Sequence, residues 1–233
     1  VTEVEDRTLV AERAEAPELY IPPPPAIDHL ITEDETPVDN LFSEKQQRLL
    51  TTPLFKNWRP ADDRLFVAMA NVGLFAIAQN PPLVPDMLLS LDVTYPDNPW
   101  EKDHRSYMFW VYGKMPEVVV EVVSNTQGGE ATDKHRAYAH MRIQYYVIFD
   151  PEQQIMDQVL TSYRLWKGQY HPCAPDWLDE VELGLCLWEG EFEGMTANWL
   201  RWCNREGRVI LTGDERAERL AALLREHGIP FDC

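Results

Sequence analysis

Apolar residues in this chain come in short, dense runs broken by proline, glycine and asparagine. Leu65-Phe66-Val67-Ala68-Met69 and Val72-Gly73-Leu74-Phe75-Ala76-Ile77 predict two strands parted by a turn or bulge at residues 71–73. Pro81-Pro82 breaks the chain, and beyond Val84-Pro85-Asp86 the run at residues 87–93 predicts a third strand. Residues 106–112 predict another, turned by Gly113-Lys114-Met115-Pro116. Glu117-Val118-Val119-Val120-Glu121-Val122-Val123-Ser124 is apolar on both faces apart from its charges, which marks a central strand covered on two sides. Residues 145–149 form a strand that stops at Asp150-Pro151, and residues 155–171 predict a hairpin turning at Lys167-Gly168. Helical signals are fewer. Residues 43–50 open a helix with Ser43 as candidate N-cap, and residues 130–141 form a second. Residues 212–227 form a third. Thr212 and Glu215 fit a capping box, Leu220, Leu223 and Leu224 make an apolar stripe, and Gly228 and Pro230 end it. A Trp-rich stretch separates the hairpin from this last helix, and there is no internal repeat. The order of helix, strands, helix and strand places the chain in the α/β (α+β) class.

Composition bounds the picture. The 233 residues are 45% hydrophobic and 11% aromatic, enough for a sizeable core and for one domain or at most two. Residues 1–26 read as an acidic arm ending in Pro22-Pro23-Pro24-Pro25, residues 27–212 as the body, and residues 213–233 as a helix and tail. The arm or the last helix offers a surface for a protein partner or a second copy. Thirty-nine Asp and Glu against 21 Lys and Arg leave a net charge of −18, which argues against a broad, nonspecific coat on nucleic acid. The longest apolar stretch, residues 65–78, is interrupted by Asn71 and Gly73 and falls short of the roughly 20 residues a bilayer needs. No basic segment precedes an apolar one in the manner of a signal peptide. Cys173, Cys186, Cys203 and Cys233 form no CxxC pair, so neither a zinc site nor a disulfide framework is indicated. A soluble, cytoplasmic protein is expected.

The candidate chemistry begins at Glu121. A carboxylate amid valines costs several kcal/mol if buried alone, so a cation, hydrogen bonds, a metal or a cleft must compensate it. Alternation puts Glu117, Val119, Glu121 and Val123 on one face. Asp86 opens a neighbouring strand, and two carboxylates from adjacent strands make a hard oxygen site suited to Mg²⁺ or Mn²⁺. Glu130, Lys134 and Tyr138 follow at i, i+4 and i+8, close to one helix face from which Lys134 can approach Glu121. Each feature alone has an ordinary structural explanation; the three together on one strand–strand–helix unit point to a site.

Those residues carry a resemblance. Val84-Pro85-Asp86, the block from Pro116 to Asn125, Gly128-Gly129-Glu130 with Lys134 and Tyr138-Ala139, and Tyr145-Tyr146-Val147-Ile148-Phe149-Asp150-Pro151 resemble the Uma family of bacterial proteins, grouped with the restriction endonucleases of the PD-(D/E)XK superfamily. Further similar blocks occur at residues 35–40, 70–75, 184–190 and 199–202. The resemblance implies a restriction-endonuclease-like mixed sheet in αβββαβ order flanked by helices, to which this chain adds a hairpin and a C-terminal helix. It implies that Asp86 and Glu121 bind metal. It also departs from the simplest pattern: the lysine expected two residues after Glu121 is Val123, and Lys134 matches a lysine moved to the following helix. Glu44 on the first helix is an additional acidic candidate, and Glu130 matches an acidic position before the lysine.

The implied activity is divalent-metal-dependent hydrolysis of phosphodiester bonds in DNA by an endonuclease. Lys102, His104, Arg105 and Lys114 form the densest cationic group nearby and are candidates for phosphate contacts. A dimer would suit an enzyme that cuts two strands. Two other readings stay open: a catalytically silent interaction or oligomerisation module on the same fold, which the negative charge favours, and a hydrolase of another phosphate ester or of RNA.

Overall fold

The computed structural model describes residues 23–27, 40–124 and 130–229, with the backbone alone at residue 130. Most of the proline-ended arm, the acidic residues 33–39 and the loop at residues 125–129 lie outside the described residues.

Helix α1 (Leu41–Asn57) starts one turn earlier than Ser43 suggests: Asn40 is the cap, and its side chain accepts the Ser43 N–H at 2.9 Å. One face of α1 buries Leu49, Leu50, Pro53 and Leu54, but also Ser43, Gln46 and Gln47. Strands β1 (Phe66–Ala70), β2 (Leu74–Phe75) and β3 (Met87–Leu91) follow. The expected strand at residues 106–112 is corrected. Only Tyr107–Met108 is extended (β4), and Phe109–Tyr112 makes one helical turn (α2) because Gly113 takes a left-handed φ of 73° and closes it with an N–H bond to the Phe109 carbonyl. The second expected strand likewise shrinks to the two residues of β2, which pair with β4 outside the main sheet.

Strand β5 (Val118–Val122) leads through a π-helical segment, Glu130–Lys134, into α3 (His135–His140) and back to β6 (Tyr145–Phe149). β5 and β6 are parallel, so a crossover must join them, and the helical segment makes it. Strands β7 (Leu160–Trp166) and β8 (Gln169–Cys173) form the expected hairpin, with Lys167 and Gly168 both at positive φ in its turn. The main sheet is mixed and six-stranded, in order β1-β3-β5-β6-β7-β8. Its central part runs α1, β1, β3, β5, α3, β6, the αβββαβ order of a restriction-endonuclease-like fold.

Alternation along β5 divides the core. Val118, Val120 and Val122 face one apolar cluster with Leu50 and Leu54 of α1, whereas Val119 and Val123 face another with Tyr138 and Ala139 of α3. All five β5 residues are buried, as the doubly apolar run requires.

The Trp-rich stretch is a second hairpin that periodicity does not reveal: β9 (Gly184–Phe192) and β10 (Met195–Cys203). Glu193 and Gly194, at φ 48° and 77°, make its tight turn. This hairpin carries α1. Gln46 exchanges two hydrogen bonds with the Leu200 backbone, Trp202 Nε1 donates to the Leu50 carbonyl, and Phe42 stacks on Trp199. Helix α4 (Gly213–Glu226) has the expected Thr212–Glu215 capping box and no buried residue. Its first turn is docked by Arg201, which donates to both Glu215 carboxylate oxygens at 2.8 and 2.7 Å, while Leu220 and Leu223 stay exposed. Among the described residues no helix is long and apolar enough to cross a membrane.

Candidate active site

Glu121 lies on the α3 face of β5 and is 1% exposed. Both of its oxygens are engaged. Lys134 Nζ donates to Oε2 at 2.9 Å and the Tyr138 hydroxyl donates to Oε1 at 2.6 Å. The helical spacing explains this pair of donors, since residues four apart stand on one face. Lys134 closes the π-helical segment and Tyr138 belongs to α3, so the two reach the same carboxylate from successive turns.

Asp86 immediately precedes β3. Because β3 runs antiparallel to β5 with Met87 opposite Val120, Asp86 arrives at the end of β5 that carries Glu121. Its Oδ2 accepts the Val122 backbone N–H at 2.7 Å, and its Oδ1 accepts the Gln47 side-chain amide at 2.9 Å. Its main-chain carbonyl accepts the N–H of Asn71 from the turn after β1.

The electrostatics follow from burial. Burial pushes the Glu121 carboxyl up to about 8; the nearby Asp86 charge adds to this, while Lys134 and the Tyr138 hydrogen bond oppose it without prevailing. Burial and the Glu121 carboxylate together drive the Tyr138 phenol well above its ordinary value, which keeps it a donor. The cluster therefore holds two carboxyl groups beside one ammonium, with Glu121 mostly protonated at neutral pH. That set of hard oxygens, from which a cation can displace the Glu121 proton, could hold a divalent cation such as Mg²⁺ or Mn²⁺ on Asp86 and Glu121.

A family described as "Putative restriction endonuclease", Uma2, matches residues 31–188. The chain belongs to the Uma2 family. No curated protein and no solved structure matches it. The Uma2 match takes in α1, Asp86, Glu121, Lys134 and Tyr138 and ends within β9, so all of β10 and α4 lies beyond it.

The other anticipated residues of this Uma2 chain are placed differently. Glu44 is exposed and pairs with Arg48 one turn away, in a surface network that includes Glu193. The α1 side chain that meets Asp86 is instead Gln47, three residues on. The Glu130 side chain lies outside the described residues. Lys114 ion-pairs with Glu117 and donates to the Leu91 carbonyl, at the start of β5 and so at the end opposite Glu121. His104 and Arg105 bond within their own loop, to the Asn98 and Trp100 carbonyls. Glu101, Asp103 and His104 gather their ligand atoms within 4.8 Å of one another, so the loop carrying Lys102 is mixed in charge rather than basic. Two contributors escape sequence reasoning, Gln47 and the Val122 N–H. A glutamine on a helix gives no signal until its burial is known, and a backbone donor gives none at all.

Proposed function

We propose that this Uma2 protein is a divalent-metal-dependent endonuclease that hydrolyses phosphodiester bonds in DNA. The observation that carries the reading is the convergence of Asp86, Glu121 and Lys134, from two strands and the following helix, on one buried carboxylate cluster. Asp86 and Glu121 hold Mg²⁺ or Mn²⁺, which when bound neutralises charge on the scissile phosphate and lowers the pKa of a water. Glu121 is fixed in one rotamer by Tyr138 and Lys134, so its ligand oxygens are oriented before anything binds. Lys134, 25% exposed at the edge of the cluster, orients the attacking water or stabilises the negative charge that develops on the phosphorane. Asp86 is held from β5 and α1, which fixes its spacing from Glu121.

The test is cleavage of supercoiled plasmid and of single-stranded DNA with Mg²⁺ or Mn²⁺ by the native protein, Glu121→Ala and Lys134→Ala. Metal-dependent cleavage lost in both variants supports the full assignment. Loss in Glu121→Ala alone keeps the metal site and removes Lys134 from the chemistry. Metal binding without DNA cleavage moves the reading to RNA or another phosphate ester. Neither binding nor cleavage leaves a silent interaction module, the reading that the net charge of −18 and the exposed Leu220 and Leu223 of α4 favour.

A further inference from the structure

Adjacent glutamines on α1 do different work. Gln46 is fully buried and clamps the Leu200 backbone, donating through Nε2 at 2.9 Å and accepting through Oε1 at 3.0 Å. Gln47 stands about 100° further round the helix, is 7% exposed, and donates from Nε2 to Asp86 Oδ1 at 2.9 Å. Burying a primary amide is unfavourable unless it is hydrogen-bonded, and a carboxylate at a strand end has two torsions to lose before it can present a fixed pair of oxygens. The Val122 N–H fixes one oxygen and Gln47 the other, the first from the neighbouring strand and the second from α1. The donor is also neutral. A lysine or arginine in its place would orient Asp86 equally well but would cancel the charge a cation needs, whereas an amide orients it and leaves the charge in place.

We infer that Gln47 is a positioning residue that holds the Asp86 carboxylate in its cation-binding orientation. This rests on the metal-site reading above. The alternative, a purely structural role in seating α1, is already filled by Gln46, by Trp202 on the Leu50 carbonyl and by Asn57 on the Leu211 carbonyl.

The experiment is calorimetric titration of Mn²⁺ into the full chain, with urea midpoints measured on the same samples, for the native protein, Gln47→Met, Gln46→Ala and Asp86→Asn. Loss of a partner behind a metal ligand weakens affinity about 10–100-fold. That loss is expected in Gln47→Met, with a midpoint near native because methionine fills the same volume. Gln46→Ala is expected to lower the midpoint and leave the Mn²⁺ dissociation constant within about twofold. Native affinity in Gln47→Met, or an equal loss of affinity in Gln46→Ala, overturns the assignment. If Gln47→Met does not fold, Gln47→Asn, which withdraws the amide by one methylene, carries the same expectation and the same refutation. No Mn²⁺ binding by the native protein, or full binding by Asp86→Asn, brings down the metal-site reading itself and this assignment with it.

Discussion

Replacing Glu121 with glutamine isolates the energetics of the buried acid. Glutamine matches the protonated carboxyl in shape and keeps an acceptor for Tyr138, and Lys134, which is 25% exposed, keeps its access to water. In the native protein the carboxyl moves from its ordinary 4.5 to about 8 because burial disfavours the charged form and Asp86 adds repulsion. The folded state thus binds this proton more tightly than the unfolded chain. Between about pH 4.5 and 8 the unfolded state is ionised here and the folded state is not, so stability falls as pH rises. At about 1.4 kcal/mol per pH unit the total is on the order of a few kcal/mol. Other groups titrate over the same range, so the informative quantity is the difference between native and Glu121→Gln. Urea unfolding followed by tryptophan fluorescence from pH 5 to 9 should show near-equal stability at the acid end. The native protein should then lose a few kcal/mol relative to the variant by pH 9. Saturating Mn²⁺ should restore the native protein, by about 2.7 kcal/mol at a hundredfold excess over its dissociation constant, and leave the variant unmoved. Parallel pH profiles would refute the claim that Glu121 is held as a desolvated acid.

Other perturbations separate the site from its scaffold. Glu44→Ala removes only an exposed pair and should change stability by less than about 0.5 kcal/mol, with the Mn²⁺ dissociation constant unaltered by calorimetry. Arg201→Met should cost about 3 kcal/mol in urea unfolding, the low end for breaking a buried pair, because Arg201 is 2% exposed but Glu215 is 31% exposed and regains water. Burial pushes the Glu215 carboxyl up, but Arg201 and the Thr212 cap outweigh it and hold it below the usual carboxylate range. The stabilisation is therefore present above the unfolded value and lost as pH falls through the folded one. Acid release of α4 should appear as a change in the emission of Trp188, on which Arg201 stacks at 4.8 Å, before global unfolding. Gly184→Ala would set a Cβ 2.0 Å from the Asp176 carbonyl oxygen and should lower the thermal midpoint far more than an alanine at the exposed turn Gly194.

Much of the sheet is legible because burial on both faces leaves an unmistakable run of valines at β5 and a comparable run at β6. Glu121 stands out for the same reason: a charge inside such a run demands a partner. Lys134 and Tyr138 follow from four-residue spacing. The losses have physical causes. The buried face of α1 includes Ser43, Gln46 and Gln47, so its apolar stripe is too weak to orient the helix, and Glu44 rather than Gln47 looks like the residue facing Asp86. The β9–β10 hairpin turns at Glu193-Gly194, without the asparagine or aspartate that usually announces such a turn. In β9, Leu187 shares the exposed face with Glu189 and Glu191, so no clean apolar face announces a ribbon packed against α1. The strand expected at residues 106–112 looks continuous because Phe109, Trp110, Val111 and Tyr112 favour strands, yet the left-handed glycine that follows them sets a helical turn.

The net charge of −18 is a sum over the whole chain, and a site responds to what lies within about one Debye length, roughly 8–10 Å at ordinary ionic strength. Within the cluster two carboxyl groups, that of Glu121 protonated at neutral pH, stand beside one ammonium, so no net positive charge attracts a phosphate until a divalent cation supplies it. The group expected to grip phosphate elsewhere does not supply a basic surface. Lys114 is committed to Glu117, and the Lys102–Arg105 loop carries Glu101 and Asp103 beside its cations. On the nuclease reading, attraction for the substrate is concentrated at the cation rather than spread over many phosphate contacts. Affinity for DNA should then depend steeply on Mg²⁺ or Mn²⁺ and weakly on monovalent salt, since the salt slope counts the phosphates that side-chain cations neutralise. A steep salt slope persisting without divalent metal would place the grip on side-chain cations away from the cluster.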